Sequence, residues 1–190
     1  MKPKTSLRHA LHDPNLLGSV IGGESWATWR VVLLATKGEQ LTAEELETFK
    51  LVTGGRRMQA PASRVEEALY LIGRRGGKDR AASVLAAYIA GLCDHSDALS
   101  AGERGVVLCI APDQRQATVT LDYCEAVFRG SPVLARLVQE RIADILRLKN
   151  GIDVEVRAAS FRRLRGLTCV GVIASECAYW ASDDGSTNAR

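Results

Sequence analysis

Two runs, "GVVLCIAP" (Gly105–Pro112) and "LTCVGVIAS" (Leu167–Ser175), are almost free of charged residues and do not alternate. A strand with one wet face alternates apolar and polar residues. A run without alternation needs both faces covered, which is the pattern of parallel strands under helices. "ALYLI" (Ala68–Ile72), stopped by glycines, reads as a further buried strand. An alanine-rich helix is expected from Lys78 to about Leu92, a polar loop over 93–104, and a helix from Asp113 to Phe128. Ser131-Pro132 places proline at a first helical position, so another helix is expected to about Leu148. Asn150-Gly151 is a turn, and "DVEVRAA" alternates like a half-exposed strand. Strands alternating with helices predict an α/β layer with a mainly parallel sheet flanked by helices.

Residues 1–24 read as an irregular leader. Ser25 is placed to cap a helix ending near Gly38, with Trp26, Trp29, Val32 and Leu33 at helical spacing. Thr42-Ala43-Glu44-Glu45 is a capping box, so a helix should run from about Ala43 to Val52. "TGGRRMQAPAS" then breaks the pattern. The expected division is a helical leader over 1–60 and a core over 61–190.

At 190 residues the chain can bury one substantial core. Its net charge of +3 permits a nucleic-acid partner without arguing for one. The apolar runs are far shorter than the ~18 residues of a membrane span, and the N-terminus lacks an apolar signal-peptide core. A cytoplasmic protein with no membrane partner is expected. The 5 cysteines include no C-x-x-C pair. A disulfide framework or zinc site is therefore not expected, and Cys93-Asp94-His95 is too short to close a tetrahedral site alone.

The chemistry concentrates in "LYLIGRRGGKDR" (Leu69–Arg80). A strand, a glycine-rich turn and a helix opening at lysine are the context of a phosphate cradle. The expected contacts run over Gly73, Arg74, Arg75, Gly76, Gly77, Lys78, Asp79 and Arg80. Backbone N–H groups of Gly76, Gly77 and Lys78 would face phosphate oxygens, the helix start adds positive dipole, and Lys78 adds a point charge. The usual pattern is G-x-x-x-x-G-K-[ST]. Here Ile72 replaces its first glycine and Asp79 its hydroxyl residue. A solvated basic turn is the competing reading. At the end of the last apolar run stands Glu176, preceded by Ser175. A carboxylate there suits the polarisation of an attacking water; a favourable helix-start charge is the plainer reading.

Taken in order, four stretches resemble the N-terminal ATPase domain of large terminase subunits, the DNA-packaging motors of tailed phages. They are "GESWATWRVVLLATKGEQLTAEELETFKLVTG", "GRRGGKD", "VVLCIAPDQRQA" and "SFRRLRGLTCVGVIASECAYW", spanning Gly23 to Trp180. The second resembles a deviant Walker A loop, and the last resembles a Walker B stretch with its acidic-aromatic continuation. The resemblance implies an ASCE-type P-loop NTPase fold, partial here, with an incomplete sheet. It implies ATP and Mg²⁺ as cofactors, with Lys78 on the phosphates, Arg74 as the loop arginine and Glu176 as catalytic carboxylate. It implies double-stranded DNA, a portal ring and a small terminase subunit as partners, and a homo-oligomeric ring. A nuclease domain would lie beyond Arg190, so the chain is expected to be a fragment and not to cut DNA.

The pattern is broken at both metal-contacting positions, 79 (Asp for Ser/Thr) and 175 (Ser for Asp). In such a site these side chains are neighbours, so an exchange keeps one carboxylate and one hydroxyl for Mg²⁺. The alternatives are an inactive prophage remnant with a decayed loop, or a helicase-like ATPase, whose D-E-x-[HD] box "SECAY" fits poorly. Arg162, Arg163 and Arg165 could contact DNA, act as an arginine finger, or face solvent. Trp26 and Trp29 could border the adenine or anchor the leader helix. Gln114 and Gln116 suit either a DNA contact or a plain helix start.

Overall fold

The computed structural model describes residues 1–159 and 166–180. The N-terminal part forms β1 (Lys2–Pro3), α1 (Leu7–His12), α2 (Gly18–Ile21), α3 (Ala27–Thr36) and α4 (Ala43–Val52). The first 24 residues are thus more ordered than an irregular leader, because Ser6 caps α1 by accepting from the His9 amide at 3.1 Å. Gly23, not Ser25, caps the next segment, a 3₁₀ turn over Glu24–Trp26 that runs into α3. The Thr42/Glu45 capping box forms as expected and starts α4.

The rest comprises α5 (Lys78–Leu92), β2 (Cys93–Asp94), β3 (Gly105–Ala111), α6 (Gln114–Gly130), β4 (Val138–Ile142), β5 (Ile145–Leu148), β6 (Ile152–Ala158) and β7 (Cys169–Ala174). β1 and β2 make a small antiparallel pair. The main sheet has the order β4-β5-β6-β3-β7. β3 runs parallel to β6 and β7, whereas β4, β5 and β6 are joined antiparallel. The sheet is therefore mixed rather than mainly parallel.

The antiparallel part replaces the helix expected over 131–148. Only Leu134–Leu137 is helical, as a 3₁₀ turn, and the chain then enters the β4–β5 hairpin, turning at Ala143 with φ +48°. The same apolar residues satisfy either period. The edge of β6 decides, because pairing there satisfies the backbone and buries Leu146 and Leu148 completely.

α5 and α6 pack together on one face of the sheet. Leu121, Cys124 and Phe128 of α6 and Val84, Ala87 and Tyr88 of α5 meet Val107, Cys109, Val154 and Val156 in one buried cluster. Leu7, Leu11, Leu17, Ile21, Leu33 and Leu34 belong to it too, so the N-terminal helices share the core of the sheet. The opposite face carries a smaller cluster of Val106, Leu108 and Ile110, with Leu167 and Trp180 against it. In register with these, Asp153 and Glu155 of β6 are buried, not half exposed as their alternation suggested. Arg104 compensates Asp153 at 2.6 Å, and Arg157 compensates Glu155 at 2.6 Å.

Two expected strands behave differently from their composition. β7 forms but is an edge strand, with Val172 57% exposed. Ala68–Ile72 forms no strand: Leu69 and Leu71 are 82% and 90% exposed. An apolar run becomes a buried strand only beside a partner edge, and among the described residues no strand flanks this one.

Asp153 holds Arg104, and Arg147 Nε approaches the same carboxylate at 3.7 Å. Asp153→Ala should leave Arg104 with only backbone carbonyls, at Leu148 and Ile152, and Arg147 with only Glu140, and cost about 2–3 kcal/mol in chemical denaturation. A loss under about 0.5 kcal/mol would show that water replaces the carboxylate.

Candidate functional site

The glycine-rich turn before α5 is held from the side by the N-terminal helices. Trp29 Nε1 donates to the Gly76 carbonyl at 2.7 Å. Trp26 lies against Gly77, where a Cβ would come within 2.8 Å of its ring. Gly77 caps α5 with φ +76°, a left-handed conformation that favours glycine. Arg80 stacks over the Trp26 ring at 5.3 Å and donates to the Val20 carbonyl at 2.7 Å. Tyr70 packs edge-on against Trp29, at 6.0 Å between centroids, and its hydroxyl bonds to Thr36. Trp26 and Trp29 thus brace the turn. Tyr70, which the sequence did not single out, belongs to the same brace; the only signal for it is an aromatic residue in an otherwise aliphatic run.

The turn departs from the expected cradle at one amide. Gly76 N–H donates to the Gly73 carbonyl at 3.3 Å and is not free for a ligand. The first-turn amides of α5, at Lys78, Asp79 and Arg80, have no intrahelical acceptor by construction and point out of the helix start. Arg74 and Arg75 are exposed in the turn, Arg75 at φ +61°.

The carboxyl end of β7 meets this helix start. Ser175 is held at both sides of its backbone: its amide donates to the Ile110 carbonyl of β3 at 2.8 Å, and its carbonyl accepts from Trp180 Nε1 at 3.0 Å. Its hydroxyl donates to Asp79 Oδ1 at 3.2 Å. The two positions that break the pattern, 96 residues apart, are therefore in contact. Beside them Lys78 Nζ pairs with Glu176 Oε1 at 3.2 Å. Both side chains of that pair are about 30% exposed, and such a pair contributes roughly 0–1 kcal/mol. A ligand offering several anionic oxygens can outcompete it. Glu176 adopts φ +53°, a strained setting for a residue with a side chain, before the 3₁₀ turn Cys177–Tyr179.

One lysine, two carboxylates, a hydroxyl and a helix start thus converge at a strand's carboxyl end, where open α/β sheets place their ligands. The set can take an anion on Lys78 and the helix start, and a hard cation on Asp79 and Ser175. Arg162, Arg163 and Arg165 lie outside the described residues. Gln114 and Gln116 are exposed at the start of α6, where Asp113 accepts from the Gln116 amide at 2.9 Å, a plain helix cap. His95 is buried and bonds through Nε2 to the Ile89 carbonyl at 2.8 Å, a structural tie. No cluster of three metal-binding His, Cys, Asp or Glu side chains occurs among the described residues, and none of their helices is long and apolar enough to cross a membrane. No family model, curated protein or solved structure matches the chain.

Gly77→Ala should force both the backbone and Trp26 to move, costing about 1–3 kcal/mol, with a lower melting temperature and red-shifted tryptophan emission. Glu176→Gly should leave the melting temperature unchanged or higher, because it relieves about 1 kcal/mol of left-handed strain while losing a weak ion pair. A fall of more than about 2 °C would mean that the side chain stabilises the fold more than its backbone strains it.

Proposed function

We propose that the chain is an ATP-binding and ATP-hydrolysing motor domain of the large terminase type, coupling hydrolysis to movement of double-stranded DNA. The observation that carries this reading is the contact of Asp79 with Ser175 beside the Lys78–Glu176 pair. A solvated basic turn gives no reason for four polar side chains from two distant segments to converge.

ATP and Mg²⁺ fit the residues present. The first-turn amides of α5 and Lys78 offer donors to phosphate oxygens, with Arg74 and Arg75 adding positive charge at the rim. Asp79 and Ser175 offer the oxygen ligands that a magnesium ion takes. When bound, the ion would neutralise phosphate charge. Lys78 leaves Glu176 to reach phosphate, and Glu176, released, accepts a hydrogen bond from the attacking water and orients it. The Asp79/Ser175 arrangement is then an exchange of the usual hydroxyl and carboxylate that preserves the donor set. The partners belonging to this reading are a portal ring, a small terminase subunit and further copies in a ring.

A second reading, a non-catalytic remnant, is favoured by a specific observation. Leu69–Ile72 is exposed and outside the sheet, and the Gly76 amide is already engaged. Among the described residues no strand leads into the turn, which Trp26 and Trp29 brace from the side.

Calorimetric titration with ATP and Mg²⁺, and phosphate release, separate the two. Binding should require Mg²⁺ and fall at least about tenfold in Lys78→Ala, while Glu176→Gln should bind ATP and lose turnover by about 100-fold or more. Asp79→Ala and Ser175→Ala should each weaken Mg²⁺-dependent binding, and the double variant Asp79→Ser/Ser175→Asp should recover it. A double variant no better than the single changes defeats the exchange, and ATP binding that ignores Mg²⁺ or Lys78 defeats the nucleotide site.

A further inference from the structure

Away from the turn, a cavity of about 750 Å³ opens between the start of α1, the end of α3, the α3–α4 connection and the middle of α5. Tyr88, in its wall, lies about 15 Å along α5 from Lys78 at 1.5 Å per residue, so the cavity is separate from the candidate nucleotide site.

Most polar groups in its wall are already engaged. Arg8 holds both oxygens of Glu45, at 2.7 and 2.8 Å, and the Gln40 carbonyl at 2.7 Å. The Glu39 carboxylate accepts from the backbone amides of Leu7 and Arg8, the latter at 3.0 Å. Tyr88 donates its hydroxyl to the Thr5 carbonyl at 2.8 Å, and burial pushes its pKa far up. The exception is Lys37. Among the described residues no carboxylate lies within ion-pair distance of its ammonium. It stands 5.5 Å over the Tyr88 ring and 3.8 Å from the Met1 thioether, which it shares with Arg64. Burial, chiefly, holds its pKa below the ordinary 10.5. Arg64 pushes the same way, and Cys93 and Glu39 oppose it.

A half-buried ammonium without a counter-ion is costly, and an anion entering the cavity offsets that cost. The walls add a second requirement. Pro3 and Leu41 offer apolar surface to the body of a ligand, which a bare inorganic ion would not use, while Tyr88 is fully buried beneath Lys37. Lys37 is the one cation of the cavity wall without a carboxylate partner among the described residues, since Arg8 is held by Glu45 and Arg64 is not part of the wall; with Glu39 nearby, this suits a monoanion better than a phosphate dianion. We propose that this cavity binds a small organic monocarboxylate, its charged head on Lys37 and its apolar body against Pro3 and Leu41.

Benzoate is the probe, and benzamide its uncharged counterpart of the same shape. Calorimetry should show saturable benzoate binding with a dissociation constant on the order of 1 mM. Benzamide should bind at least about tenfold more weakly, as should benzoate to Lys37→Met. Because binding stabilises the ammonium, benzoate should raise the Lys37 pKa, read from the NMR shift of the reductively ¹³C-methylated amine in the unmutated chain. Affinity should fall as pH rises through that pKa. Equal binding of benzamide, undiminished binding to Lys37→Met, a Lys37 resonance indifferent to benzoate, or no saturation by about 20 mM would overturn the proposal.

Discussion

β3 is paired along both edges, to β6 on one side and β7 on the other, and every residue from Gly105 to Ala111 is buried. A strand paired on both edges is held in register: a shift by one residue would turn Val107 and Cys109 away from α5 and α6 and bring the differently sized Val106, Leu108 and Ile110 against those helices. The candidate site inherits this rigidity. The Ile110 carbonyl takes the Ser175 amide at 2.8 Å, so the end of β7 is set by the end of β3. The start of α5 is set by the packing of the same helix over the same sheet, through Val84, Ala87 and Tyr88.

The turn between them is positioned differently. No strand leads into it among the described residues, and its placement rests on Trp26, Trp29 and Tyr70. Those side chains come from, or pack against, α3, whose Leu33 and Leu34 lie in the common core. The N-terminal helices therefore act as the second wall of the site rather than as an appendage. The same arrangement creates the Lys37 cavity, because the end of α3 must pass over Tyr88 to reach α4.

Much of the fold was legible in local pattern. The Thr42/Glu45 box, the limits of α5, β3 and α6, and the turn at Asn150-Gly151 follow from caps, periods and glycines that act within a few residues. The failures share one cause. Residues 138–148 carry a pattern that serves either helix or hairpin, and the edge of β6 chose the hairpin. Residues 68–72 have strand composition but no strand beside them, so they stay exposed. Asp153 and Glu155 alternate as if wet, yet Arg104 and Arg157 allow their burial.

The sequence by itself determined the α/β character, the helix that opens at Lys78, and the residue types gathered for the site. It also flagged Asp79 and Ser175 as matched departures from one pattern. Only the tertiary structure decided that these two touch, that Lys78 rests on Glu176, and that Gly76 turns its amide inward. Caps and periods act over a few residues along the chain. Contacts across 96 residues depend on strand order and helix packing, which many compatible sequences share and no short stretch encodes.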